Sequence, residues 1–283
     1  MEDIAIVTGG LRGLGRAMVL GLLRTGRRVV ALGHIESDVP EMRAAAGEGA
    51  ERLLCLVADL TQPAECDRLI AETERRFGPP GILVNNAGLT FTYIDPDRFT
   101  QGPRKFWTLP DEVVQKVMDI NYVAADRLAR RVAPIMLREG WGRIVNVTTK
   151  LSTMNMVGST PYGPSKAALE MASEIWAREL RDTPVTVNLV NPGAGANTPG
   201  MSEVMREWSA TGRAPRLVEP EEMVPPLLFV CSREADGVSG YRFDANAWDA
   251  SLPPAEAARR IARPAGFLLY PPRDPYTEPE HGA

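Results

Sequence analysis

Tyr162 and Lys166 stand four residues apart in Tyr162-Gly163-Pro164-Ser165-Lys166, just ahead of Ala167-Ala168-Leu169-Glu170-Met171, a run of strong helix formers. On a helix, that spacing puts both side chains on one face, within reach of each other. An ammonium beside a phenol favours the phenolate. The pair is therefore expected to lower the Tyr162 pKa well below the ordinary ~10, giving a group that donates or accepts a proton near neutral pH. The plainer alternative is a surface Tyr and a surface Lys sharing a turn. Upstream, Ile144-Val145-Asn146-Val147 is a short apolar run suited to a strand buried on both faces.

A second stretch could bind phosphate. Thr8-Gly9-Gly10-Leu11-Arg12-Gly13-Leu14-Gly15 follows the apolar run Ile4-Ala5-Ile6-Val7 and precedes a helical pattern over 16–23. In that context Gly9 permits a tight turn, Gly13 lets a pyrophosphate approach the backbone, and Gly15 lets helix pack on strand. The next strand, 29–32, ends at Gly33-His34. A site selective for NAD carries an acid here, to hold the ribose 2′-hydroxyl. Gly33 supplies none, while Arg12 and His34 offer cations to a 2′-phosphate. NADP is the expected cofactor and NAD the less favoured one, with a solvated Arg and His as the alternative.

Further strands are expected at 52–57, ending at Asp59, and at 81–84, running into Asn85-Asn86-Ala87-Gly88, with a helix over 63–77 between them. Alternating strands and helices predict a doubly wound parallel sheet with right-handed crossovers. Residues 89–110 break that rhythm with Phe91, Tyr93, Arg98, Phe99, Arg104, Lys105, Phe106 and Trp107. A helix capped by Asp111 should follow and run through Asn121 to 137. After the central stretch come a helix to 180, a strand at 185–190 and Asn191-Pro192-Gly193. A flap over 194–218 has Met201, Met205 and Trp208 on one face. A helix over 221–232, a short strand over 240–244, a helix over 254–262 and a Pro-rich end, read as disordered, complete the chain. The division is one dinucleotide-binding and catalytic domain over 1–250 and a tail extension over 251–283.

The chain of 283 residues is 44% hydrophobic with a net charge of -4, an ordinary globular balance that suggests neither a nucleic acid nor an anionic membrane as partner. Cys55, Cys66 and Cys231 are scattered without metal spacing, so no metal is expected and the compartment is read as reducing. With an apolar strand from Ile4 and no membrane-length run, the expectation is a cytoplasmic protein without a leader.

Taken together, Thr8 to Gly15, Asp59, Asn85 to Gly88, Asn121, Tyr162 to Lys166 and Asn191-Pro192-Gly193 resemble, in that order, the motifs of the classical short-chain dehydrogenase/reductases. The resemblance covers roughly residues 4–244. It implies a single-domain, Rossmann-like α/β fold with helices on both faces of the sheet, and a homo-oligomer, dimer or tetramer, built on the helices over 121–137 and 162–180. It implies Tyr162 as catalytic acid/base, and Lys166 as ribose ligand and tuner of Tyr162. Asn121 would hold a water in a relay to Lys166. Asp59 with Leu60 would lie at the adenine, and Asn86, Ala87 and Gly88 would support the nucleotide. Gly9, Leu11, Arg12, Gly13, Leu14, Gly33 and His34 would line the cofactor on one side, and Pro192, Gly193, Gly195 and Thr198 on the other. The family's substrate-polarising hydroxyl lies thirteen residues before the Tyr, which is Thr149 here rather than the usual Ser, with Ser152 as fallback. The loop after Gly193 is one residue longer than in relatives.

The function so implied is NADP(H)-dependent interconversion of a carbonyl and an alcohol. The alternatives are a same-scaffold isomerase, epimerase or lyase with retained cofactor, or a nucleotide-bound sensor. The loop aromatics and Met-rich flap suggest a medium-sized, partly apolar substrate, or else core and subunit packing. Arg98, Arg104 and Lys105 could meet a carboxylate, or simply be solvated.

Overall fold

The computed structural model describes residues 3–268. Strand β1 (Ile4–Thr8) passes through the glycine turn into helix α1 (Gly13–Arg24), followed by β2 (Arg28–Gly33), α2 (Asp38–Ala46), β3 (Leu53–Val57), α3 (Pro63–Arg76) and β4 (Ile82–Asn85). The loop over 89–110 carries two single-turn helices, α4 (Phe91–Ile94) and α5 (Arg98–Gln101). Helix α6 (Asp111–Met118) continues through a π-helical turn (Asp119–Val123) into α7 (Ala124–Glu139). Strand β5 (Gly142–Val147), the short α8 (Leu151–Met154) and the long α9 (Tyr162–Glu179) form the central stretch. Strand β6 (Val185–Asn191), α10 (Glu203–Ala210), α11 (Val224–Val230), β7 (Tyr241–Asp244), α12 (Pro254–Ile261) and β8 (Arg263–Pro264) follow.

The strands make one sheet in the order β3-β2-β1-β4-β5-β6-β7-β8. All pairings are parallel except β7 with β8. Alternate strand residues feed two cores. Ala5 and Val7 pack with Met18, Leu22, Met42 and Leu227 on one face, while Ile6 and Ile144 pack with Leu69, Leu128 and Val132 on the other. Burial on both faces is why these strands read as continuous apolar runs. Strand order reverses between β1 and β4, which opens a crevice at their carboxyl ends, the usual ligand position in such sheets.

Several elements differ from expectation. Pro110 occupies the N-cap of α6, and Asp111 sits in its first turn, where its charge still favours the helix dipole. Helix α2 was not anticipated: Met42 is its one buried residue, too little for a periodic signal. The expected helix over 221–232 splits into a 3₁₀ turn (Pro220–Met223) and α11, because Pro225 and Pro226 cannot donate to a continuous ladder. In the described part of the tail, Ala258 and Ile261 of α12 join the first core and β8 extends the sheet. The Pro-rich end over 269–283 lies outside the described residues.

Candidate active site

Strand β5 ends at Val147 and delivers Thr148 and Thr149, both buried, to the carboxyl edge of the sheet. Tyr162 opens α9 half-buried, and Lys166 is buried one turn later. The Thr149 hydroxyl hydrogen-bonds with the Tyr162 phenol. Ser152, the fallback hydroxyl, is exposed on α8. The ring of Phe91 lies 4.8 Å from that of Tyr162.

The expected lowering of the Tyr162 pKa is corrected by the structure. Burial pushes the phenol above its usual value, and the bond with Thr149 offsets this only in part. Burial also lowers Lys166 to about 8. The physical reason is where Lys166 points: its Nζ donates to the Val147 carbonyl at 2.9 Å rather than to Tyr162. Shared helix face places the two side chains near each other, but the polypeptide alone does not generate a phenolate.

Asn121 sits at the π-helical turn, buried. Its Oδ1 accepts from Leu89 N at 2.7 Å, and its Nδ2 donates to the Leu89 carbonyl at 3.1 Å and to Ser165 Oγ at 2.9 Å. Ser165 Oγ in turn donates to the Tyr162 carbonyl at 2.7 Å. Ser165 is thus a link between Asn121 and α9 that sequence reasoning missed, although it lies inside the motif. A Cβ at Gly88 would sit 3.3 Å from Asn121 Oδ1 and 3.4 Å from Lys166 Nζ, so Gly88 occupies the gap between them.

The glycine turn fits a dinucleotide. Gly9 and Gly13 have φ of +62° and +55°, which other residues adopt with strain, and a Cβ at Gly15 would collide with the Gly9 carbonyl. Thr8 Oγ1 accepts from the N–H groups of Asn86 and Ala87, both at 3.0 Å. Asn86 Nδ2 donates to the Thr8 and Gly9 carbonyls at 2.9 and 3.1 Å. The turn is thereby fastened to the end of β4 and leads into the first turn of α1, whose N–H groups have no intrahelical partners. Leu60 is buried in one core, and Leu14 is partly buried against the other. Asp59 is exposed, and bonds from Thr61 N and Oγ1 hold its carboxyl below the usual range.

Gly33 is small for a packing reason. A Cβ there would lie 2.7 Å from Leu11 Cδ1, so the buried Leu11 covers the end of β2. Arg12 and His34 are exposed beside it, and Arg12 Nε lies 3.5 Å from the Asp38 carboxylate. Asp38 is an acid at this edge that the sequence motifs do not flag. On the opposite side, Pro192 and Gly193 are buried, and Gly195 is committed to the flap ladder through its carbonyl, which accepts from Val218 N at 2.7 Å. Thr198 reaches the glycine turn, its Cβ 3.4 Å from where a Gly13 Cβ would stand.

The loop cations are not substrate groups as a set. Arg98 is buried, stacks 3.8 Å over the Phe91 ring and donates to the Gly158 carbonyl at 2.9 Å. Arg104 lies 3.4 Å from Asp95, and only Lys105 stands in solvent without such a role. Thr90 and Thr92 donate to the Gly200 carbonyl at 2.8 and 2.6 Å, clasping this loop to the flap.

A family model described as short chain dehydrogenase matches residues 3–209. The chain belongs to the short chain dehydrogenase family. It is 32% identical over 251 residues to a short-chain type dehydrogenase/reductase of Picea abies, covering 83% of this chain and 88% of that protein. It is 31% identical over 260 residues to the NADPH-dependent aldehyde reductase 2, chloroplastic, of Arabidopsis thaliana, covering 86% and 92%. A variant actinorhodin polyketide ketoreductase crystallised with NADPH superposes with a TM-score of 0.73 at 26% identity, covering 84% of this chain and 94% of that one. The protein is an NAD(P)-dependent oxidoreductase with a Rossmann-like fold. Among the described residues, no helix is long and apolar enough to cross a membrane.

Proposed function

We propose that this dehydrogenase reduces a ketone or aldehyde to the alcohol with NADPH, and runs the reverse oxidation, with Tyr162 as acid and base. The observation that carries the reading is the meeting of the Thr149 hydroxyl and the Tyr162 phenol at the carboxyl edge of β5, backed by Lys166 and Asn121. Bound in the cradle of Gly9, Gly13 and Gly15, the nicotinamide would supply the hydride. Thr149 donates a hydrogen bond to the substrate oxygen, and Tyr162 Oη delivers a proton to it. Lys166 Nζ, lying beside Gly88 and Asn121, holds the ribose and relays a proton from a water at Asn121 back to Tyr162, with the opposite direction in the oxidation. Its ammonium, together with the positive charge of oxidised nicotinamide, brings the Tyr162 pKa down from the raised value that burial imposes.

Arg12 and His34 support NADP over NAD, since both are exposed where the 2′-phosphate would lie and Leu11 leaves no room for an acid at Gly33. Asp38 works against them by pairing with Arg12. Phe91, packed on Tyr162, supports a medium-sized and partly apolar substrate. Exposed Leu137 of α7 and Ile175 of α9 support a homo-oligomer, dimer or tetramer, through those helices. Three free thiols, Cys55, Cys66 and Cys231, support a cytoplasmic setting.

Steady-state oxidation of NADPH and NADH over a panel of aliphatic and aromatic carbonyls tests the reading. The expected result is turnover with higher kcat/KM for NADPH, and a further gain for NADPH in Asp38→Asn, which frees Arg12. Tight NADPH binding without turnover on any carbonyl would favour a sensor, and equal use of both cofactors would remove Arg12 and His34 as phosphate readers.

A further inference from the structure

Behind Thr149 lies a buried ion pair. Arg242 on β7 is 2% exposed and Glu170 on α9 is 0% exposed, with Nη1 and Oε2 2.9 Å apart. The pair grips the turn after β5 at two adjacent residues. Arg242 Nη2 donates to the Thr149 carbonyl at 3.0 Å, and Thr148 Oγ1 donates to Glu170 Oε2 at 3.1 Å. Asp244 approaches Arg242 Nη2 from the solvent side at 3.3 Å. A strand near the sheet edge, the turn bearing Thr149 and the helix bearing Tyr162 are therefore joined at one point by charge.

Packing does not demand ions at this point. Taking two charges out of water costs several kcal/mol each, and apolar residues of similar volume often hold such a position as well or better. What the guanidinium adds is direction, because its planar fork donates along fixed lines, here from Nη2 to the Thr149 carbonyl and the Asp244 carboxylate, while Nη1 stands in ion-pair contact with Glu170. Glu170 follows Tyr162 by about two helical turns on the same helix, so any shift of α9 carries the phenol and the anchor of the turn together.

We infer that Arg242 and Glu170 are positioning residues that fix the Thr148-Thr149 turn, aiming the Thr149 hydroxyl at the Tyr162 phenol. This rests on the reading of Thr149 and Tyr162 as the working hydroxyls. Neither charged group reaches substrate; they act through the backbone carbonyl of Thr149 and the hydroxyl of Thr148.

The test compares Arg242→Met, Glu170→Met and the double variant, reading the melting temperature, kcat and the KM for NADPH. Arg242→Met leaves the Glu170 carboxylate buried without an ionic partner, and Glu170→Met leaves Arg242 with Asp244 alone, so each should lower the melting temperature, the first more. The double change removes both and should recover most of it. Its kcat should nevertheless stay down by about tenfold or more, the scale of a misplaced reacting group, with the KM for NADPH little changed because the cradle is untouched. A double variant that regains wild-type kcat along with its stability overturns the inference, since the pair would then only hold the fold. If the double variant does not fold, Thr148→Val reads the same contact from the other side. A folded Thr148→Val protein with reduced kcat supports the inference, and one with unchanged kcat overturns it. Thr149→Val and Tyr162→Phe, assayed in parallel, keep the two ideas separate. If those two retain turnover, the reading of the site fails and takes the inference with it. If they lose turnover while the double variant does not, the inference alone fails.

Discussion

Lys166 and Thr149 are 4% and 6% exposed, whereas Phe106 and Trp107 in the 89–110 loop are 67% and 69% exposed. The first two project from a covered sheet edge and a long helix, where Lys166 bonds the Val147 carbonyl, Arg242 bonds the Thr149 carbonyl and Asn121 bonds the Ser165 hydroxyl. The loop is held differently. Two threonine hydroxyls on the Gly200 carbonyl, Arg98 on the Gly158 carbonyl and Leu89 on Asn121 fasten it at separate points. Reacting groups need sub-ångström placement, which packed regular elements supply, while a surface that selects a substrate can sit on segments that change at little cost to the core. The difference predicts that changes on the wall formed by the edge of β5 and by α9 strike kcat, and changes on the loop strike KM.

The largest effect should come from Tyr162→Phe. It should lose all but a few per cent of turnover, while the Kd for NADPH, read by fluorescence titration, stays near wild type. Substantial residual reduction would take the acid role from Tyr162 and break the comparison at its strongest point. Thr149→Val should lower kcat by about 10²-fold, the scale for removing one oxyanion-type donor, with Thr149→Ser retaining most activity. Ser152→Ala, on an exposed turn, should behave like wild type. The reverse pattern for Thr149 and Ser152 would place the hydroxyl wrongly.

A third variant asks what the wall costs in stability. Lys166 titrates at about 8 in the folded chain and at 10.5 when unperturbed, so between those values the unfolded chain holds the extra proton. This group's contribution to stability therefore rises as pH goes from about 8 to 10.5, and its full penalty is present below 8. That penalty is on the order of 3 kcal/mol. Losing the bond to the Val147 carbonyl offsets about 1 kcal/mol of it. Lys166→Met should thus unfold at higher urea at pH 7, by about 2 kcal/mol, and lose this advantage above pH 10.5, while turnover is abolished. An unchanged midpoint at pH 7 would show that Lys166 is solvated in solution.

The smallest effect should come from the clasp. Thr90→Val with Thr92→Val removes both bonds to Gly200 and should raise the KM for substrate by about threefold, as expected for losing modest, partly solvent-exposed hydrogen bonds. A fall in kcat of the same size with KM unchanged would mean that the loop belongs to the wall after all.

Much of the centre was legible in the chain because it is local. Strand, glycine turn and helix occur within residues 4–24, and the four-residue spacing of Tyr162 and Lys166 is a helical period, so backbone geometry alone brings those groups together. The resemblance implied Thr149, thirteen residues before Tyr162, with Ser152 as fallback, and only the structure shows that Thr149 is buried against the phenol while Ser152 is exposed. What the tertiary structure decided are contacts between residues far apart in the chain: Leu11 closing over Gly33, Asp38 taking Arg12, Arg98 spent on Phe91 and Gly158, and Arg242 meeting Glu170 behind Thr149. The direction of Lys166 belongs with them. Helical spacing sets its face, but the carbonyl it bonds is on another element, and desolvation by the assembled core raises the phenol and lowers the ammonium. Periodicity is a property of successive φ and ψ angles and is written in the order of residues. Desolvation and long-range charge pairing depend on what surrounds a group once every element has packed, and no local stretch of the chain carries that information.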